Sequence, residues 1–105
     1  MAVTRIVLRD ASDDELDTVA EVLVAAYEQY LPPNPTGGWL AYREEIRDVR
    51  SRLGHTALIV AEEDGHILGA VTYYPDGSKD GHAGWPPAWA VIRLLGVRPD
   101  ASATR

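Results

Sequence analysis

The sequence predicts an α+β domain of the sandwich type, in which helices pack on a mostly antiparallel sheet in the order β-α-α-β-β-β. An apolar run at the N-terminus is followed by two segments whose apolar residues have helical spacing. Three further apolar runs come after them; a turn signal joins the first two, and the third lies near the C-terminus. The 105 residues are 46% hydrophobic and 25% charged, as in small globular domains. No linker-like segment divides the chain, so we expect residues 1–105 to form a single domain.

The first strand and the first helix have local signals. The β-branched and apolar run Thr4–Arg9 predicts the strand. Ser12 and Glu15 have the spacing of a capping box, which predicts a helix start with acidic residues near its N-terminus. An apolar stripe then recurs at spacings of three and four up to the prolines that follow Leu31. Its members are Leu16, Val19, Ala20, Leu23, Ala26, Tyr27 and Tyr30.

The second helix is predicted over residues 39–53. Residues 31–38 contain three prolines and two glycines, so they form a loop before it. Apolar residues line one side of residues 39–53, charged residues line the other, and Gly54 is a suitable C-terminal stop.

Three further strands are predicted. Residues 58–61 and 67–74 are apolar and β-branched, and Asp64-Gly65 between them is a typical hairpin turn. Residues 75–88 are rich in Pro, Gly, Asp and Ser and predict a loop. Trp89–Val97 then forms the fourth strand.

Charge and composition exclude several classes of partner. The formal net charge of −6 argues against binding to nucleic acid or anionic membranes, which depends on clustered Lys and Arg. Without cysteine there is no disulfide framework and no thiolate zinc site, which fits a cytoplasmic location. No apolar stretch approaches the roughly 20 residues that a membrane helix needs.

Two segments carry a resemblance to a known family. Gly65–Val71 (GHILGAV) and Ile92–Pro99 (IRLLGVRP) resemble the third and fourth strands of the GNAT superfamily of N-acetyltransferases. The predicted order of elements matches the N-terminal half of that fold. In the family, a loop of pattern Arg/Gln-x-x-Gly-x-Gly/Ala follows the fourth strand and holds the pyrophosphate of acetyl-CoA. The chain stops at Arg105, so we expect a GNAT-like fold that is incomplete at its C-terminus.

The resemblance implies acetyl-CoA as the co-substrate. In the family the pantetheine arm bonds to main-chain groups of the fourth strand, which here belong to Leu95, Gly96 and Val97. A backbone N–H there also faces the thioester oxygen and stabilises its developing charge. Arg105 is assigned to the cofactor site as well. The alternative is that Leu94, Leu95 and Val97 are core residues and Gly96 marks a bulge.

The implied acceptor is a primary amine of a small molecule or peptide. GNAT proteins shape the acceptor pocket around the loop between the first two helices, which here brings in Tyr30 and Trp39. Simple helix packing is the alternative for the neighbouring Tyr27 and Tyr42. Arg93 is the third candidate for substrate binding, because an arginine in a strand needs an acid, a ligand or solvent, and a structural salt bridge is its alternative.

The catalytic base is not predicted. Many relatives place a glutamate two residues before the position of Arg93, where this chain has Val91. The family's frequent general acid, a tyrosine, belongs to a later helix. Other titratable residues suit solvated positions better than catalysis: Glu62, Glu63, Asp76 and His82.

No metal site is predicted. Asp76–Gly81 matches the first half of a calcium-binding EF-hand loop, but Pro87 stands where the loop needs its last glutamate. The three histidines have no ligand spacing.

The main functional hypothesis is therefore acetyl transfer from acetyl-CoA to a primary amine. A non-catalytic, truncated half-domain that dimerises through the exposed edge of the fourth strand is the alternative, since an unpaired apolar strand favours association. A homodimer is expected in either case. An unrelated small α+β binding module is a third hypothesis.

Overall fold

The computed structural model describes residues 5–31, 37–81 and 84–102. The strands are β1 (Val7–Asp10), β2 (Ala57–Glu63), β3 (His66–Tyr74) and β4 (Val91–Val97), and the helices are α1 (Leu16–Glu28), α2 (Trp39–Arg47) and the short α3 (Pro99–Ser102). This confirms the predicted α+β class and the order β-α-α-β-β-β.

The four strands form one sheet in the order β1-β2-β3-β4, and every neighbouring pair is antiparallel. The turn between β2 and β3 is Asp64-Gly65, with φ values of 52° and 82°. A two-residue turn with positive φ at both positions matches the right-handed twist of the strands that it joins. The hairpin predicted from these two residues is therefore confirmed.

The hydrophobic core lies between α1, α2 and one face of the sheet. Val19 and Leu23 of α1, Ile46 of α2 and Val60 of β2 are fully buried in it. Leu94 brings β4 into the same core. From Leu16 to Ala26 the predicted apolar stripe is the face that α1 buries, and it holds the helix against the sheet through the hydrophobic effect. Tyr30, the last predicted member, lies beyond the helix end at Glu28 and is exposed, so this part of the prediction is wrong.

Two predicted boundaries are wrong at the second helix and the fourth strand. α2 ends at Arg47 rather than at residue 53, because Asp48 leaves the helical region with ψ 64° and a 3-10 segment follows at Arg50–His55. The Arg52 guanidinium satisfies the last carbonyls, donating to Glu45 O at 2.6 Å and to Ile46 O at 3.0 Å. β4 begins at Val91 rather than Trp89, whose N–H donates within a turn to Pro86 O.

Smaller boundary shifts affect the other strands. β1 begins at Val7, whereas the prediction began at Thr4, which lies outside the described residues. β2 is longer than predicted and runs over Ala57–Glu63, while β3 begins one residue earlier, at His66.

An ion-pair cluster ties β1, β2 and the start of α1 together. The Arg9 guanidinium donates to the Glu15 carboxylate at 2.7 and 2.8 Å and to Glu62 at 2.9 Å. The Glu15 carboxylate also accepts a hydrogen bond from the backbone N–H of Ser12 at 2.9 Å. This is the bond from the N-cap backbone to the glutamate side chain that the predicted capping box requires. The hydrogen bonds from Arg9 and Ser12 lower the pKa of Glu15 to about 2. Those from Arg9 and the Gly65 N–H lower the pKa of Glu62.

Acid should therefore weaken the fold through Glu15. Its pKa in the folded chain is about 2, against an ordinary 4.5, so its stabilisation is complete above the ordinary pKa and is lost as the pH falls towards about 2. We expect the Glu15→Gln variant to lose less free energy of unfolding across that window than the unchanged chain. Urea unfolding at several pH values measures this. Asp13→Asn is the matched control, because Asp13 lies in the same turn and makes no hydrogen bond with a described residue; equal pH dependence in both variants would contradict the assignment.

The second face of the sheet is not covered by any described element. Leu8, Ala61, Gly69 and Val97 stand side by side across the four strands on this face. Leu8 and Leu95 are 72% and 61% exposed, and Ile92 and Val97 are exposed as well. The described residues therefore form two layers, with an apolar sheet face that is open. Among them, no helix has the length and apolar character needed to cross a membrane.

Candidate functional site

The outer edge of β4 is the most distinctive surface of the molecule. β4 pairs with β3 on one side and has no strand partner among the described residues on the other. Such an edge presents main-chain donors and acceptors in a row, which an extended ligand can meet as another strand would.

A β-bulge interrupts β4 in its middle. Between the pairs Thr72↔Arg93 and Ala70↔Gly96, β3 advances by two residues and β4 by three. Leu94 is the extra residue, and its φ of 56° lies in the left-handed region. This conformation costs a leucine roughly 1–2 kcal/mol. Burial of the Leu94 side chain in the core opposes this cost. Because of the bulge, Arg93 and Gly96 both lie on the helix-facing side of the sheet.

Gly96 allows α1 to approach β4 closely. A Cβ atom at this position would lie 2.8 Å from Ala26 Cβ and 3.2 Å from Leu23 Cδ2 of α1. The bulge lies at Leu94 and not at Gly96, where it was the alternative. The role of the glycine is to allow close helix packing on one face of the strand. A position in the core was the alternative for Leu94, Leu95 and Val97. Leu94 is buried in the core, whereas Leu95 and Val97 are exposed.

A cavity of about 270 Å³ lies between β4 and the C-terminal end of α1. It is lined by Ala26, Tyr27, Gln29, Tyr30, Leu95, Gly96 and Val97. The structure thus brings together the three predicted cofactor residues of β4 and the predicted acceptor residue Tyr30. Sequence reasoning did not identify Ala26 or Gln29 as neighbours of this site, because the apolar stripe assigns Ala26 to the core and nothing in the pattern marks Gln29.

Aromatic residues connect the cavity with α2. Tyr27 meets Tyr42 edge to face at a ring distance of 6.3 Å, and Tyr42 meets Trp39 in the same way at 6.3 Å. Trp39 packs against the core and is not among the residues that line the cavity. Burial raises the pKa of Tyr27, so its hydroxyl stays protonated and available as a hydrogen-bond donor at neutral pH.

Arg93 lies next to a buried acid. Its Nη1 is 3.6 Å from Asp80 Oδ1, and the two side chains are 18% and 2% exposed. The loop that carries Asp80 is held at its start by the Gly77 N–H, which donates to Trp89 O at 2.7 Å. The structure therefore shows the salt bridge that was the alternative for Arg93, while contact with an acceptor stays a prediction. Asp80 was not predicted as the partner of Arg93. In the sequence it stands out only as a member of the partial calcium-loop pattern that begins at Asp76.

Three of the residues considered as bases, Asp76, Glu62 and Glu63, are engaged elsewhere or lie away from the cavity. Asp76 Oδ1 accepts the N–H and hydroxyl of Ser78 at 3.0 and 2.7 Å, and these bonds lower its pKa. The pKa of Glu62 is lowered by Arg9 in the same way, and a lowered pKa makes a carboxylate a weaker base. Glu63 ends β2 opposite His66 at the hairpin turn. His82 and Arg105 lie outside the described residues.

Val91 occupies the start of β4, opposite Tyr74, and offers no titratable group. Within residues 5–31, 37–81 and 84–102, no three side chains of the His, Cys, Asp or Glu type come together as metal ligands would.

Comparison with known proteins supports the fold. No protein-family model matches the sequence, and no curated protein matches it. Among solved structures, a GNAT family acetyltransferase from Brucella melitensis in complex with acetyl-CoA is similar, with a TM-score of 0.63 and 22% sequence identity. The alignment covers 92% of this chain and 57% of that chain, so the chain spans little more than half the length of this structure. The predicted GNAT-like fold is confirmed for the part that the chain contains.

Proposed function

We propose that the chain is part of an N-acetyltransferase that moves acetyl from acetyl-CoA to a primary amine of a small molecule or peptide. The observation that carries the proposal is the open, bulged β4 edge with a cavity beside it, in a fold shared with an acetyltransferase that was solved with acetyl-CoA. Leu95, Gly96 and Val97 would hold the pantetheine arm through their main-chain groups, and Arg105 would contact the cofactor further along.

In the proposed reaction the free amine attacks the carbonyl carbon of the thioester. The C–N bond forms, the C–S bond breaks, and the leaving thiolate takes up a proton while the amine nitrogen gives one up. A main-chain N–H of β4 would stabilise the negative charge that develops on the carbonyl oxygen. The acceptor would be bound by Tyr30 at the exposed rim of the cavity, with Trp39 and Arg93 as further contacts. No base is assigned.

Amide NMR spectra test the proposal. Titration with S-acetyl pantetheine, which needs no pyrophosphate-binding loop, should shift the signals of Leu95, Gly96 and Val97 first. Leu8, an exposed apolar residue at the opposite edge of the sheet, is the internal control. Shifts at Leu8 of equal size, or no shifts at all, would contradict a specific thioester site on β4.

Self-association is the second candidate function. The observation in its favour is the open apolar sheet face, on which Ile92, Leu95 and Val97 of the β4 edge are exposed together. In this alternative a homodimer forms through β4, in place of a ligand on the same edge. Sedimentation should then show a dimer that Ile92→Lys weakens. A chain that stays monomeric at high concentration would contradict this candidate.

The remaining features of the proposal follow from the composition. We propose that residues 1–105 act as a single domain in the cytoplasm, in agreement with the lack of cysteine. The net charge of −6 disfavours nucleic acid and anionic membranes as partners.

A further inference from the structure

The cavity between α1 and β4 has a lining without charge. Leu95, Val97 and Ala26 are apolar residues, and Tyr27 carries a phenol whose pKa burial raises further above neutral pH. The Gln29 amide already donates to Ala26 O at 2.7 Å, so one of the few polar groups at the cavity is used within α1. The space therefore suits an apolar group better than a charged one.

The cavity is also larger than a methyl group requires. Its volume is about 270 Å³. An apolar protein cavity of about 150 Å³ is enough to bind benzene. An acetyl group adds only one methyl beyond the carbonyl carbon, so it would leave much of this space without contacts.

The position of the cavity relates it to the acyl group. Leu95 belongs both to the cavity lining and to the stretch of β4 whose main chain is proposed to face the thioester carbonyl. A chain attached to that carbonyl carbon would therefore enter the cavity directly from the strand edge. On the far side, close packing of Gly96 against Ala26 closes the space between strand and helix.

We infer that this cavity accepts apolar acyl groups longer than acetyl, such as butyryl, and disfavours acyl groups that end in a carboxylate. The inference rests on the proposed function and extends its donor from acetyl to short apolar acyl thioesters. The reaction needs no further reactant, because the same C–N bond forms and the same C–S bond breaks whatever the length of the chain.

Calorimetric titration of the full chain with S-acetyl, S-butyryl and S-succinyl pantetheine tests the inference. Each buried methylene tightens binding about fourfold, so S-butyryl pantetheine, with two more methylenes, should bind about sixteenfold more tightly than the acetyl compound. The succinyl compound has the same carbon count but should bind more weakly than butyryl, since its carboxylate meets no cation among the described residues that line the cavity. Equal affinity for all three compounds would overturn the inference and leave the proposed function standing. No binding of any of them would overturn both.

A variant at the rim supplies the second test. Tyr30 is 80% exposed, so Tyr30→Arg should fold and place a cation at the cavity. The preference for butyryl over succinyl should then fall at least several-fold. Leu40→Arg is the matched control, because Leu40 is 63% exposed on α2 and does not line the cavity. Identical preferences in the two variants would overturn the assignment of this cavity to the acyl group.

Discussion

Asp80→Asn is expected to lower the free energy of unfolding by about 3 kcal/mol, because it removes the acid that faces Arg93. The Asp80 side chain is 2% exposed and its oxygen lies 3.6 Å from the guanidinium. Removing one partner of a buried pair leaves the other charge in a poorly solvated position, which costs more than the pair itself contributes. Chemical denaturation of the variant measures the loss.

The matched control is Asp100→Asn. Asp100 pairs with Arg98 at 2.9 Å, a shorter distance, but its side chain is 70% exposed. An exposed pair contributes only about 0.2–1 kcal/mol, so this variant should be close to the unchanged chain. The double variant Asp80→Asn with Arg93→Met should recover part of the stability, because the guanidinium is removed together with the acid that faces it. If Asp80→Asn and Asp100→Asn were equally mild, the pair at Arg93 would not be a buried one.

Gly96→Ala is expected to destabilise the fold by about 2 kcal/mol, as overpacking of a close contact does. Its new Cβ would lie 2.8 Å from Ala26 Cβ, which is fixed to the backbone of α1 and cannot rotate away. Helix and strand would have to separate, and the cavity beside them would change shape. The free energy of unfolding from urea titration gives the size of the effect.

Gly54→Ala is the control for this substitution. A Cβ at Gly54 would meet nothing within 4 Å, so the change in stability should stay within about 0.5 kcal/mol. Adding Ala26→Gly to Gly96→Ala should remove the clash and show a favourable coupling between the two positions, although glycine inside a helix itself costs about 1 kcal/mol. Strictly additive effects would contradict a direct contact between α1 and β4 at Gly96.

Local sequence signals predicted most of the fold. The spacing of Ser12 and Glu15 located the start of the first helical segment, and Asp64-Gly65 located the hairpin, because both signals act through neighbouring residues. The end of α2 could not be found in this way. It depends on Arg52, whose side chain reaches back to carbonyls that only the folded chain brings near.

The candidate site was predictable in part. The resemblance of Ile92–Pro99 to a GNAT strand singled out Leu95, Gly96 and Val97, and these residues do line a cavity. The cavity itself depends on the packing of α1 against β4, which no periodic pattern specifies. Asp80 as the partner of Arg93 likewise depends on how a loop of irregular sequence folds back over the strand.

The bulge in β4 makes the number of residues in this strand as important as their identity. Side chains alternate between the two faces of a strand, and Leu94 is the single extra residue that sets this alternation for Leu95, Gly96 and Val97. Deletion of Leu94 would match a two-residue step in β4 to the two-residue step in β3, so Arg93 and Gly96 would stay on the helix-facing side, but a core side chain would be lost. Regular pairing of an unshortened β4 would instead turn either Arg93 or Gly96 to the open face, so a strand of this length keeps both the ion pair and the helix contact only while it keeps its bulge.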